Sequence, residues 1–172
     1  MRNRLINIIP IQERTWELSF DMILLENTMN NEAKTVLHFT TGGNLANHGD
    51  RTPAIFTRND KLLIRSNIYS KSYFSKDHII PLNQKINVKI QQVYDMVITT
   101  QTDVRIFIDG NQIYETTHQW KIPFKNVKCY FGDPWYNPAP VRISNLRYTQ
   151  KLIYPGKSVS YTHLTLPTIY SV

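Results

Sequence analysis

WELSFDMIL, Trp16 to Leu24, is the stretch on which the fold turns. Trp16, Leu18, Phe20, Met22 and Leu24 occupy every other position, and Glu17, Ser19, Asp21 and Ile23 fill the gaps. Successive side chains of a strand point to opposite faces, so this period of two places the five apolar residues on one side of a half-buried strand.

The same reading extends outward along the chain. KTVLHFT, Lys34–Thr40, is a second strand, followed by the Gly- and Asn-rich break TGGNLANHGD, which reads as a loop. Pro53–Thr57 and Lys61–Asn67 form a pair joined by a turn at Arg58-Asn59-Asp60. Residues 68–79 are polar and aromatic with no sustained period. In Lys85–Val93, Ile86, Val88 and Ile90 share one face, and Asp95–Thr100 is expected to be a further short strand. VRIFIDGNQIYE, Val104–Glu115, carries the strongest turn signal, because Asp109-Gly110 supplies the positive φ angles of a tight hairpin. Phe124–Phe131 and Val141–Tyr148 complete the set. Roughly ten to twelve short strands and no helical period predict an all-β chain, an antiparallel two-sheet sandwich or jelly roll.

Composition narrows the class. A chain of 172 residues suits one domain. Charged residues make up 19% and aromatic residues 12%, a balance with enough apolar mass for a real core. The net charge of +7 raises the question of an anionic partner. The basic residues are scattered, however, the densest grouping being Lys121, Lys125 and Lys128, so the charge reads as a solubility feature and nucleic acid is not expected as a partner. No apolar run is long enough to span a membrane. The opening MRNRLINIIPIQERTW lacks the apolar core and cleavage site of a signal peptide, which makes Met1 an expected internal residue of a longer parent. The single cysteine, Cys129, shares strand parity with Val127 and Phe131 and is expected to be a small buried hydrophobe.

Three sets of residues resemble a known group. TWELSFDMIL, the Asp-Gly hairpin VRIFIDGNQIYE, and VKCYFGDPWYNPAPVRISNLRY stand in the order of the concanavalin A-like jelly-roll superfamily, and within it resemble laminin-G-like domains over about residues 4–150. The strand order also resembles galectins: VLHFTTGG places His38 where their sugar site begins, but Thr40 and Thr41 replace the Asn and Arg that would follow. Laminin-G-like domains commonly hold a cysteine pair near the C-terminus, and here Cys129 is alone. The resemblance implies an extracellular, non-catalytic recognition module for a glycan or a protein, with no oligomeric state implied. It sets a domain at 1–155 and a tail at 156–172. Within the tail, VSYTHLTLPTIYSV resembles a translated library adaptor and is expected to lie outside the domain.

Two loops are the candidate site. The loop of residues 42–51 offers Asn44, His48 and Arg51 to a ligand, with Asp50 as an oxygen donor for calcium, as superfamily members carry at a sandwich rim. The bland alternative has Asp50 capping a turn and Arg51 bonded to a carboxylate or to backbone carbonyls. The second loop, FGDPWYNPAP, Phe131–Pro140, can be neither helix nor central strand. In one reading Trp135 and Tyr136 form a platform for the apolar face of a sugar, Asn137 holds hydroxyls, and Asp133 does the same or joins Asp50 at calcium. In the other, Trp135 folds inward as a lid, the prolines only stiffen the loop, and the chain is a structural or interaction domain of a larger parent protein with no small-ligand site. A retaining glycosidase needs two carboxyl groups about 5–5.5 Å apart. Glu17, Asp21 and Glu26 are spaced too widely for the acidic triplet of the superfamily's glucanases, so glycoside hydrolysis is the minor alternative. His38, His78 and His118 lack metal-ligand spacing, and no nucleophile motif occurs.

Overall fold

The computed structural model describes the chain except residues 1, 28–30, 46, 70–71, 95–100, 120–121, 155–156 and 171–172; side chains are also not described at 68–76, 118–121, 152–164 and 166–172. The strand expected at Asp95–Thr100 lies outside the described residues.

Twelve strands make up two antiparallel six-stranded sheets. They are β1 (Arg4–Gln12), β2 (Thr15–Leu24), β3 (Lys34–Thr40), β4 (Ala54–Arg58), β5 (Lys61–Tyr69), β6 (Ser72–Ile79), β7 (Lys85–Tyr94), β8 (Gln101–Ile108), β9 (Asn111–Gln119), β10 (Phe124–Phe131), β11 (Val141–Tyr154) and β12 (Lys157–Tyr170). Sheet A runs β1-β10-β3-β4-β5-β6 and sheet B runs β12-β11-β2-β7-β8-β9. The architecture is the all-β sandwich that the alternation predicts.

In β2 the five alternating residues are buried and the intervening ones are half-exposed, so every inward side chain of this strand is one that the period selects. They meet Ile86, Val88 and Ile90 from β7, Ile143 and Tyr148 from β11, and Leu37, Phe39 and Ile55 from the facing sheet in one apolar cluster. The hairpins at Asn59-Asp60 and Asp109-Gly110 each use two consecutive positive φ angles, 49° and 55° in the first and 50° and 79° in the second. Their twist matches the right-handed twist of the flanking strands.

The structure adds three strands that alternation does not reveal, β1, β6 and β12. β1 and β6 are the outer strands of sheet A. An edge strand packs against few neighbours and need not bury every second residue, and in β1 only Ile9 and Gln12 are buried. Lys157–Tyr170, within the stretch expected to be a tail, is paired along β11 as the edge of sheet B.

Cys129 is fully buried, and burial drives its thiol well above the ordinary cysteine range. The native protein is therefore expected not to react with an aromatic disulfide reagent at neutral pH and to release one equivalent of thiol once unfolded in guanidinium. Rapid labelling of the folded chain would contradict the buried placement.

Candidate functional site

The site begins at His38. Leu37 and Phe39 on β3 point into the core, so His38 between them points to the outer face of sheet A. There it is fully buried, because the two candidate loops fold over it. Its Nε2 donates to the Asp50 carbonyl oxygen at 2.7 Å, and its Nδ1 meets Asp133 Oδ2 at 2.7 Å. One imidazole thus ties the loop after β3 to the loop after β10.

Asp133 organises the second loop. Its Oδ1 accepts the backbone N–H groups of Trp135 at 3.0 Å and Tyr136 at 2.7 Å, a side-chain turn that Pro134 suits by its fixed φ. Burial pulls the carboxyl upward in pKa, but donation from His38 and from the Tyr136 N–H outweighs it and holds Asp133 below the usual carboxylate range. Further on, the Thr35 N–H donates to the Asn137 carbonyl and the Ala139 N–H to the Thr35 carbonyl, both at 2.8 Å. The proline-rich segment thereby borrows the edge of β3 for backbone groups that it cannot pair within itself.

The turn lays both rings on the sheet. The Trp135 ring centroid is 5.4 Å from that of His38 and 6.4 Å from that of Tyr130. Tyr136 packs edge-on to Phe56 at 5.0 Å and joins Ala33, Ala54, Phe56 and Leu63 in a small apolar cluster outside the main core. Trp135 nevertheless remains 39% exposed. It is neither a free platform nor a buried lid: one side is seated on aromatic neighbours and the other is open.

The first loop is mostly engaged with itself. An Arg51 guanidinium nitrogen donates to the Asn44 carbonyl at 2.7 Å and lies 3.5 Å from the Tyr136 hydroxyl, with the guanidinium 5.7 Å from the Phe56 ring centre. The Asp50 carboxylate is buried, accepts the Asn47 N–H at 3.2 Å and presses on Gly43, where a Cβ would stand 2.0 Å from Asp50 Oδ1. His48 stacks on Phe124 at 4.6 Å, at the start of β10, whereas Trp135 follows the end of that strand. His48 and Trp135 are therefore not brought together.

The carboxylates of both loops are engaged within the chain. Asp133 spends its oxygens on an imidazole and two N–H donors, Asp50 offers its backbone carbonyl to the same ring, and among the described residues no group of three or more His, Cys, Asp or Glu could hold a metal. A hard cation needs six or more oxygens free to turn toward it.

What is open lies beside Trp135. Arg2, Glu32, Ala33, Trp135, Tyr136 and Asn137 line a cleft of about 240 Å³. Arg2 donates through Nε to Asn137 Oδ1 at 3.0 Å, and a second guanidinium nitrogen donates to the same oxygen. The backbone sets Arg2 there, since the Asn3 N–H donates to the Asp133 carbonyl and the Arg4 N–H to that of Gly132. Arg2 and Glu32 are the site residues that reading by motif misses, and His38, which the galectin resemblance places at a sugar site, serves here as the tie between the two loops. They meet the loop only through strand pairing across distant parts of the chain.

On the outer face of sheet B, Glu17 accepts the Gln91 amide at 2.6 Å and Asp21 accepts the amides of Asn87 and Asn145. Burial acts to raise the Asp21 pKa, but these amides and Lys85 prevail and lower it. An acid catalyst needs the opposite shift.

Strand order and packing define the chain as an antiparallel two-sheet β-sandwich. No protein-family model matches the sequence, and no curated protein matches it. Solved structures match the fold. The native heptameric SAP-like pentraxin from Limulus polyphemus is 12% identical, with a TM-score of 0.52 over 84% of this chain and 67% of that one. The receptor-binding domain of botulinum neurotoxin D is 12% identical, with a TM-score of 0.59 over 81% of this chain and 34% of that one. The binding domain of botulinum neurotoxin DC in complex with SialylT is 15% identical, with a TM-score of 0.52 over 80% and 32%. The chain spans about a third of the length of these toxin domains. At such identities the likeness is one of fold.

Proposed function

We propose that the chain is a non-catalytic, extracellular recognition module of laminin-G-like type that receives a glycan, without calcium, in the cleft beside Trp135. The observation that carries this reading is the half-seated indole: Trp135 is 39% exposed and lines the cleft, while its ring packs against His38 and Tyr130. A ring fixed in advance loses little freedom when a sugar stacks on it. Asn137, Arg2 and Glu32 surround it with donors and acceptors suited to hydroxyl groups. The neighbours support this reading, the binding domain of botulinum neurotoxin DC being solved both with SialylT and with rat synaptotagmin II.

Glycan-array screening followed by titration calorimetry tests it. Trp135→Ala is expected to weaken the best array ligand about tenfold or more, since a central aromatic anchor commonly contributes at least that much. Thermal denaturation run in parallel establishes that the variant is folded. Unchanged affinity in a folded Trp135→Ala protein, or a wild-type chain that binds no glycan, overturns the reading.

A further inference from the structure

The cleft leaves unused the basic grouping noted in the sequence and the surface that it borders. Leu5, Ile8 and Ile11 of β1 are 45%, 46% and 46% exposed. They stand in register beside β10: Leu5 opposite Tyr130, Ile8 opposite Lys128, Ile11 opposite Lys125. Val127, Cys129 and Phe131 belong to the inner core, so Lys128 and Tyr130, and with them Ile8 and Leu5, face outward. Beyond Asn126, whose φ of 50° breaks the alternation, Ile11 and Lys125 are exposed as well, so three aliphatic residues and two lysines lie side by side on sheet A. Between them β1 and β10 contain Arg4, Lys125 and Lys128 and not a single Asp or Glu.

We propose that this face docks on the surface of an anionic lipid bilayer. Lysine ammonium groups are attracted by anionic headgroups, while aliphatic side chains beside them gain by entering the headgroup–acyl boundary. A lysine stem beside such a column can cover apolar surface while its charge stays outermost. A second copy of the chain fits less well. A two-fold face-to-face contact would set Lys125 and Lys128 against their own kind, with no carboxylate on either strand to offset them. Strand addition at the β1 edge is also hindered: Asn7 Oδ1 already accepts the Ile8 N–H at 2.9 Å, and Pro10 has no N–H to give. A phosphate backbone would use the cations and leave the aliphatic column without a role.

The test is co-sedimentation of the full chain with phosphatidylcholine vesicles made with and without phosphatidylserine, at low and high salt. Wild-type protein is expected to pellet with the phosphatidylserine vesicles and to be released as salt rises. The double variant Lys125→Glu with Lys128→Glu is expected to lose about tenfold or more of that partition. Ile8→Ser with Ile11→Ser is expected to reduce it and to leave the residual binding more salt-sensitive. All four positions are surface sites, so melting temperatures should stay close to wild type. Trp135→Ala should leave vesicle binding intact, which separates this proposal from the glycan cleft. Failure of wild-type protein to bind either vesicle overturns it, as does indifference to either double variant. Sedimentation velocity showing a dimer that Ile8→Ser with Ile11→Ser dissolves also overturns it, because a second copy then covers the face.

Discussion

Asp133→Ala is expected to destabilise the domain by about 3 kcal/mol or more, because it orphans a buried imidazole nitrogen and two backbone N–H groups at about 1 kcal/mol or more each. His38 and Asp133 both have 0% side-chain exposure. The substitution leaves one imidazole nitrogen facing a void, and it frees the Trp135 and Tyr136 N–H groups that Asp133 Oδ1 had held. Urea denaturation reads the loss directly. Asp133→Asn keeps an acceptor for the two N–H groups and should cost less. Removing His38 as well should cost less than the two single losses added, since the second removal leaves no orphan. The pH dependence follows from the depressed Asp133 pKa. Such a group contributes fully above its unfolded value of about 3.9, and that contribution disappears as pH falls through the lower folded value. The gap between wild type and Asp133→Ala should therefore be widest above about pH 4 and close below it. A variant within about 1 kcal/mol of wild type at neutral pH would show that the two loops are not held by this pair.

Phe20→Ala should be comparably severe, at about 3–5 kcal/mol, because it empties a fully buried site at the centre of the core. Phe20 stands opposite Val88 on the inner face of β2, where two sheets and two neighbouring strands limit relaxation. Ile23, on the same strand but of opposite parity, faces outward, and Ile23→Ala should cost about 1 kcal/mol or less. The pair is checked by urea midpoints at an unchanged denaturant slope. Equal losses at the two positions would mean that the strand does not present the face assigned to it.

The sandwich is legible because burial on one face of a strand leaves a local record. Trp16 to Leu24, Ile86 to Ile90 and Asp109-Gly110 each announce themselves within a few residues. β1 and β6 do not, since an edge strand with one neighbour imposes no alternation. The candidate site is partly legible in the same way. FGDPWYNPAP is recognisable as an aromatic loop that cannot pair its own backbone, and Trp135, Tyr136 and Asn137 do line one cleft. Asp50 and Asp133 present the opposite case: their carboxylates suggest a cation, but the fold uses them on a histidine and on main-chain donors.

The amino-acid order by itself determined most of the strands, their inner faces and the turns at Asn59-Asp60 and Asp109-Gly110, because each depends on neighbours within one strand or one hairpin. Only the tertiary structure decided which loop lies on which face. That outcome rests on contacts such as His38 to Asp133 across 95 positions of sequence and Arg2 to Asn137 across 135. A hydrogen bond between such distant residues leaves no periodicity in either segment; it exists only once strand pairing has brought β3, β10 and the N-terminal residues side by side.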